Sequence, residues 1–279
     1  METQTDKITG TILGKVPMIV FAAVSIAIFV FSVQVLPKQG VDHLVLYKAG
    51  ETLLSGSDPY SMELKFYTPA WSLAFLAPMS LLPIWIARVF WAAASLLVWV
   101  VFLVKVLRMK YLDATIFLLN PFFLYGMILG SYDWLVILGL MLPAWIGSWF
   151  VMLKPQIGLG WMVWFLNKNF KKAVYTYAPP IVLLGLLVLF GLYRPVLLGE
   201  MWWNWSLGLL GIPFGLAMVW TSFKGEDPTI ALAASPFLSP YVAVQSWAVA
   251  LLLFKDNRPA LLGAVLFSWV IVFIRINLV

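Results

Sequence analysis

Long apolar stretches broken by short polar or proline-bearing turns run through almost the whole chain, and their lengths set the expected architecture. Apolar runs cover residues 16–36, 84–107, 174–192, 206–223 and 260–274. An α-helix needs roughly 20 predominantly apolar residues to cross a bilayer, so these read as spans or near-spans. Between them lie shorter apolar pieces at 68–82, 116–129, 134–142, 144–153, 157–166, 229–234 and 242–254. Prolines 69, 78, 83, 143, 155, 236 and 240 punctuate them. At about 1.5 Å of rise per residue the shorter pieces cover part of a membrane, as broken or re-entrant helices do. The expectation is an all-α, polytopic integral membrane protein, a single unit over residues 1–279 with about eight to ten crossings or part-crossings.

The first polar interruption, 37–67, has its own periodicity. Val41, Leu44, Val45, Ala49, Leu53 and Leu54 recur at helical spacing, with Asp42, Lys48 and Glu51 between them. That pattern predicts an amphipathic helix lying in the membrane interface, ended by Gly56-Ser57-Asp58-Pro59. A second interfacial element is expected at 193–205, where Arg194 and Glu200 sit among Trp202, Trp203 and Trp205.

Charge orients these elements. Lys7 and Lys15 precede the first run, Lys105, Arg108 and Lys110 follow 84–107, and residues 167–172 form the most basic cluster. By the positive-inside rule these belong to the cytoplasmic side, which places 37–67 and 193–205 outside. Counting both 68–82 and 84–107 as full spans breaks that parity, so one of them is expected to be partial. About a dozen residues separate Lys154 from the 167–172 cluster, too few for both to lie at one surface, and Lys154 is expected on a broken helix towards the outer half. The polar amino terminus lacks a small-residue cleavage pattern and reads as leading into a retained first helix.

Composition narrows the chemistry. The 279 residues are 63% hydrophobic and 11% charged, with no cysteine and one histidine. Thiolate metal sites, disulfides, histidine clusters and a serine–histidine–aspartate triad with a distant histidine all lack support. The net charge of +6 suits anionic lipid headgroups, and no basic run is long enough for nucleic acid.

Each candidate residue carries two readings. Asp42 follows the first span at once; it is either a base whose pKa burial raises or an interfacial carboxylate that keeps the loop wet. His43 beside it is either a partner of Asp42 or a plain interface residue. Asp58-Pro59-Tyr60 forms a good turn without further function. Asp133 and Lys154 weigh more, because a charge within a membrane segment costs about 2.5–3.5 kcal/mol unless it meets water or a partner. They either pair with each other or serve a ligand, and a lysine there can hold a phosphate as a point charge. Arg194 has the same ambiguity.

Asp42, Tyr47, Ala49, Gly56, Asp58-Pro59-Tyr60, Phe66-Tyr67-Thr68-Pro69 and the run from Ala77-Pro78 to Leu82-Pro83 together resemble the amino-terminal signature of glycosyltransferase family 87. Gly130-Ser131-Tyr132-Asp133 stands in the place of that family's Gly-Gln-x-Asn element, Lys154-Pro155 matches a Lys-Pro turn, and Ser239-Pro240-Tyr241 resembles a later Ser-Pro motif, which here is followed by no histidine up to Gln245. The resemblance implies a GT-C-like bundle in the plasma membrane that takes a sugar, mannose-like, from a polyprenyl-phosphate donor. The sugar passes to a glycolipid or glycan acceptor at the extracytoplasmic face, without metal or cofactor. Asp42 is the position that matches the general base. His43, Tyr47, Asp58, Tyr60, Asp133, Lys154, Gln156, Arg194 and Tyr241 are the expected substrate contacts. A transporter or flippase of lipid-linked sugar and a non-catalytic membrane subunit are the competing readings; no inverted repeat supports the former.

Overall fold

A computed structural model describes residues 4–63, 66–191 and 204–278, and every described element is helical. In chain order the α-helices are α1 (Gln4–Gln39), α2 (Val41–Leu54), α3 (Ser72–Leu76), α4 (Ile84–Val101), α5 (Tyr111–Leu118), α6 (Pro121–Leu129), α7 (Asp133–Met141), α8 (Ala144–Val151), α9 (Pro155–Lys168), α10 (Phe170–Leu189), α11 (Gly211–Gly225), α12 (Pro228–Leu238) and α13 (Arg258–Leu278). Short 3₁₀ helices occupy Ala77–Leu81 and Val244–Phe254, and a π-helical turn, Phe102–Val106, extends α4.

Among the described residues four helical segments are long and apolar enough to cross a membrane: Lys15–Val35, Ile84–Val106, Phe170–Leu189 and Arg258–Arg275. A fifth is available if α5 and α6, bent by 62° at Asn120-Pro121, count as one span. Of the eight to ten crossings or part-crossings expected, four or five are therefore long enough to be full crossings, and much of the remaining apolar sequence forms helices too short to cross alone. Their prolines explain it, since a proline interrupts the helical ladder and frees a carbonyl.

The bundle has two distinct ends, fixed by contacts between distant loops. At one end the loops are basic and cross-tied: Lys168 pairs with Glu226 at 2.5 Å, Lys255 with Asp227 at 3.5 Å, and Arg258 of α13 with Asp113 of α5. At the other end α2 lies across the bundle. Arg275, near the close of α13, stacks on Trp205 there at 4.8 Å. Following the chain between these ends resolves the parity question. α4 runs from the α2 end to the basic end, α5 and α6 return, α9 descends, and α13 rises again. The segment 68–82 is the partial one. α3 and Ala77–Leu81 stay beneath α2, where Ser80 Oγ donates to the Tyr47 carbonyl at 2.7 Å and Tyr47 Oη donates to the Leu82 carbonyl at 2.8 Å.

Between Asp133 and Lys154 the chain forms a hairpin of half-helices. α7 descends about 13 Å, turns at Pro143, and α8 returns about 12 Å. The two run in close backbone contact at Gly139 and Gly147: a Cβ on Gly147 would lie 2.1 Å from the Gly139 carbonyl oxygen. α9 then runs about 21 Å down to Lys168. Lys154 and Lys168 are therefore at opposite levels, as the sequence spacing demands. The Val244–Phe254 segment matches that drop with eleven residues rather than fourteen, because a 3₁₀ helix rises about 2.0 Å per residue.

Candidate functional site

Four separate parts of the chain meet at the α2 end. The first turn of α2 contributes Asp42. The α6–α7 turn contributes Ser131 and Asp133, the head of α9 contributes Lys154, and the 3₁₀ segment contributes Gln245 and Ser246.

Local sequence explains how each is held. Gly130 ends α6 in the left-handed region, φ 66°, where a Cβ would be strained, and the Ser131 amide turns back to the Gly126 carbonyl at 2.9 Å. The Trp91 indole on α4 donates to the Gly130 carbonyl at 2.8 Å and pins that turn. Asp133 then opens α7, where the helix dipole favours a carboxylate. Lys154 precedes Pro155 at the first position of α9, which needs no amide hydrogen.

Lys154 is 4% exposed and Asp133 7%, and they form a direct ion pair. Ser131 Oγ donates to Asp133 Oδ1 at 2.6 Å, and Ser246 Oγ lies 3.5 Å from Oδ2. The Lys154 ammonium also reaches Ser131 Oγ at 3.2 Å and sits 4.8 Å from the centre of the Tyr132 ring. Gln245 Nε2 bridges to the remaining acid, 3.3 Å from Asp42 Oδ2 and 3.5 Å from Ser131 Oγ. One continuous polar network therefore contains two carboxylates, one ammonium and one amide.

Asp42 differs from Asp133. It is half-buried, without a direct ion pair among the described residues, and desolvation raises its pKa above the ordinary carboxylate value. The nearby Lys154 charge opposes that rise, Asp133 adds to it, and Ser131 opposes it through a hydrogen bond. The result is a carboxylate poised to take a proton while a cation stands close by. Tyr125 of α6, exposed, lies within electrostatic reach of Asp42. Behind the network a cavity of about 10 Å³, the room of a single water, is lined by Ser95, Gly126, Ser131, Asp133 and Gln245 among others.

Not every expected contact joins this cluster. His43 is 2% exposed and points into the core against Tyr47 and Trp91, with ring centres 6.2 and 5.6 Å away. Burial, and then the charge of Arg88, push its pKa down to about 4, against a hydrogen bond to the Ala87 backbone. It is a neutral packing residue beside Asp42. The Tyr47 hydroxyl is committed to Leu82. Asp58 is exposed and accepts from the Tyr60 amide at 2.9 Å, and Tyr60 Oη donates to the Thr68 carbonyl at 2.8 Å, so both shape the turn after α2. Gln156 is buried in the first turn of α9, two residues from Lys154. Tyr241 is half-buried in the turn ahead of Gln245, its carbonyl accepting from Ser239 Oγ at 2.6 Å. Arg194, with most of the 193–205 loop, lies outside the described residues.

Sequence reasoning passed over Ser131, Gln245 and Ser246 as functional groups. A polar pair, Gln245-Ser246, inside the apolar run 242–254 and just after the Ser239-Pro240 turn was the available signal. Among the described residues no group of three or more His, Cys, Asp or Glu side chains is arranged to hold a metal ion. Comparison with known proteins finds no matching family model, no similar curated protein and no similar solved structure.

Proposed function

We propose that the protein is a membrane glycosyltransferase of GT-C type, moving a sugar from a polyprenyl-phosphate donor to a hydroxyl acceptor. The observation that carries the reading is the convergence of Asp42, with its raised pKa, on the Lys154–Asp133 pair through Gln245 and Ser131. It gains support from the amino-terminal residues that resemble glycosyltransferase family 87.

In this mechanism Asp42 accepts the proton of the acceptor hydroxyl as that oxygen attacks the anomeric carbon. The bond from the anomeric carbon to the phosphate oxygen breaks, and the polyprenyl phosphate leaves with the electron pair. A single displacement inverts the anomeric centre. Gln245 orients the Asp42 carboxylate. Lys154, held by Asp133, supplies fixed positive charge towards the leaving phosphate in a site of low dielectric. Arg194 is the second proposed cation. The basic loop end faces the cytoplasm by the positive-inside rule, which puts Asp42 on the extracytoplasmic side.

A second reading has its own observation. The cavity at the network has room for one water, and two carboxylates with one ammonium between broken helices also suit a carrier that couples solute movement to a proton. Asp42→Asn separates the two in purified, reconstituted protein. A transferase loses turnover by about 100-fold or more while still binding donor. Retained transfer by the Asn variant rules out Asp42 as base, and proton-dependent solute uptake abolished without any transfer activity in the parent favours the carrier.

A further inference from the structure

A second cavity, much larger than the one at the Asp42 network, lies at the opposite, basic end. An open pocket of about 670 Å³ lies between the tip of the α7–α8 hairpin, at Pro143 and Trp145, and the first turns of α10, at Asn169, Lys171, Lys172 and Tyr175.

Three features of that pocket call for an anionic amphiphile. First, it concentrates cations that have no carboxylate partner among the described residues: Lys168 and Lys255 are spent on Glu226 and Asp227, whereas Lys171 and Lys172 form no ion pair. Second, its walls are aromatic and open, with Trp145 69% and Tyr175 81% exposed, the composition that settles at headgroup depth. Third, the side of α10 above the pocket continues as exposed apolar surface through Val174, Ile181 and Val182, a track for an acyl chain. A soluble anion uses the first feature alone. A lipid uses all three, and basic pockets between membrane helices on the cytoplasmic side are suited to phosphate headgroups.

We propose that this pocket binds the phosphate headgroup of an anionic phospholipid, with Lys171 and Lys172 as its cations and the acyl chains laid along α10. Because Pro143 and Trp145 form one wall, the bound headgroup braces the tip of the same hairpin whose base carries Asp133 and Lys154.

The test is native mass spectrometry of the full chain released from mixed micelles of phosphatidylglycerol and phosphatidylcholine with identical acyl chains. The expected result is preferential retention of phosphatidylglycerol. The Lys171→Gln/Lys172→Gln double variant should lose that preference by about 30-fold, from about five-fold per lysine. The Lys171→Arg/Lys172→Arg variant, which keeps the charge, should retain it, and both variants should elute as the parent does on size exclusion. Equal retention of the two lipids, or a preference undiminished in the glutamine variant, overturns the proposal. Displacement of the lipid by millimolar inorganic phosphate would reassign the pocket to a free anion and overturn it as well.

Discussion

Removing Lys154 should cost more than removing Asp133, although the two form one ion pair. Breaking a buried pair by deleting one partner costs about 3–5 kcal/mol, because the survivor is left charged and uncompensated. The survivors here are not equivalent. In Asp133→Asn the ammonium keeps Ser131 Oγ at 3.2 Å, the Tyr132 ring face at 4.8 Å and the charge of Asp42 as a substitute counter-ion. In Lys154→Met two carboxylates share the network with no cation, and only Ser131, Ser246 and Gln245 remain to donate to them. The expected loss is therefore about 3–5 kcal/mol for Lys154→Met and about 1–3 kcal/mol for Asp133→Asn. The double variant Asp133→Asn/Lys154→Met should be less damaged than the sum, with a coupling of about 1–3 kcal/mol. Unfolding by sodium dodecyl sulfate titration in mixed micelles, followed by tryptophan fluorescence, reads these differences. Equal losses for the two single variants, or additivity in the double variant, would refute the shared network and Asp42 as the substitute counter-ion.

Three further outcomes follow from other residues. His43 has a folded pKa of about 4 against 6.5 for the free group, so the unfolded chain protonates first and stability falls as pH drops from 6.5 to 4. His43→Phe should remove up to about 3 kcal/mol of that acid sensitivity in unfolding titrations across the same window. The residual slope should then take the opposite sign, because the raised pKa of Asp42 contributes stability at low pH that is lost as pH rises through it. Gln245→Leu takes a donor from the ionised Asp42, and the acid limb of the pH–rate profile should move to higher pH; an unmoved limb separates Gln245 from the base. Asp58→Ala should cost about 0.5–2 kcal/mol of stability, the value of a lost cap, while leaving donor binding unchanged in a pull-down with an immobilised polyprenyl-phosphate analogue.

The charges most visible in the sequence were those that conflict with their surroundings. Asp133 and Lys154 interrupt apolar runs, so the need of each for a partner or a ligand was legible and their mutual pair was one of the readings left open, and the three pieces 134–142, 144–153 and 157–166 correspond to α7, α8 and α9. The helix of the first polar interruption was equally legible: α2 ends where expected, in a Schellman motif in which the Gly56 amide bonds the Leu53 carbonyl and the Ser57 amide the Thr52 carbonyl. The fate of 68–82 was not, because its composition equals that of a span. Close contact decides it, with Ser80 Oγ placed where a Cβ on Gly50 would stand. Gln245 escaped for a different reason. In sequence the stretch 242–254 reads only as an apolar run, which says nothing of the face on which a 3₁₀ helix, turning every three residues, places Gln245. Asp58 looked like chemistry only because a capping aspartate and a binding aspartate are written with the same letter.

The shortness of α7, α8, α12 and the 244–254 segment bears on biogenesis. None is long enough to partition into a bilayer alone, and Lys154 at the head of α9 makes its own entry costlier. The long spans must therefore enter first and provide walls against which the half-helices find shelter. Three of the four parts of the chain that form the Asp42 network, those bearing Ser131 and Asp133, Lys154, and Gln245, come from or adjoin these late arrivals. The polar centre is consequently the last part of the protein to be assembled in the membrane, and a chain stalled during insertion would present a complete outer frame around an unbuilt interior.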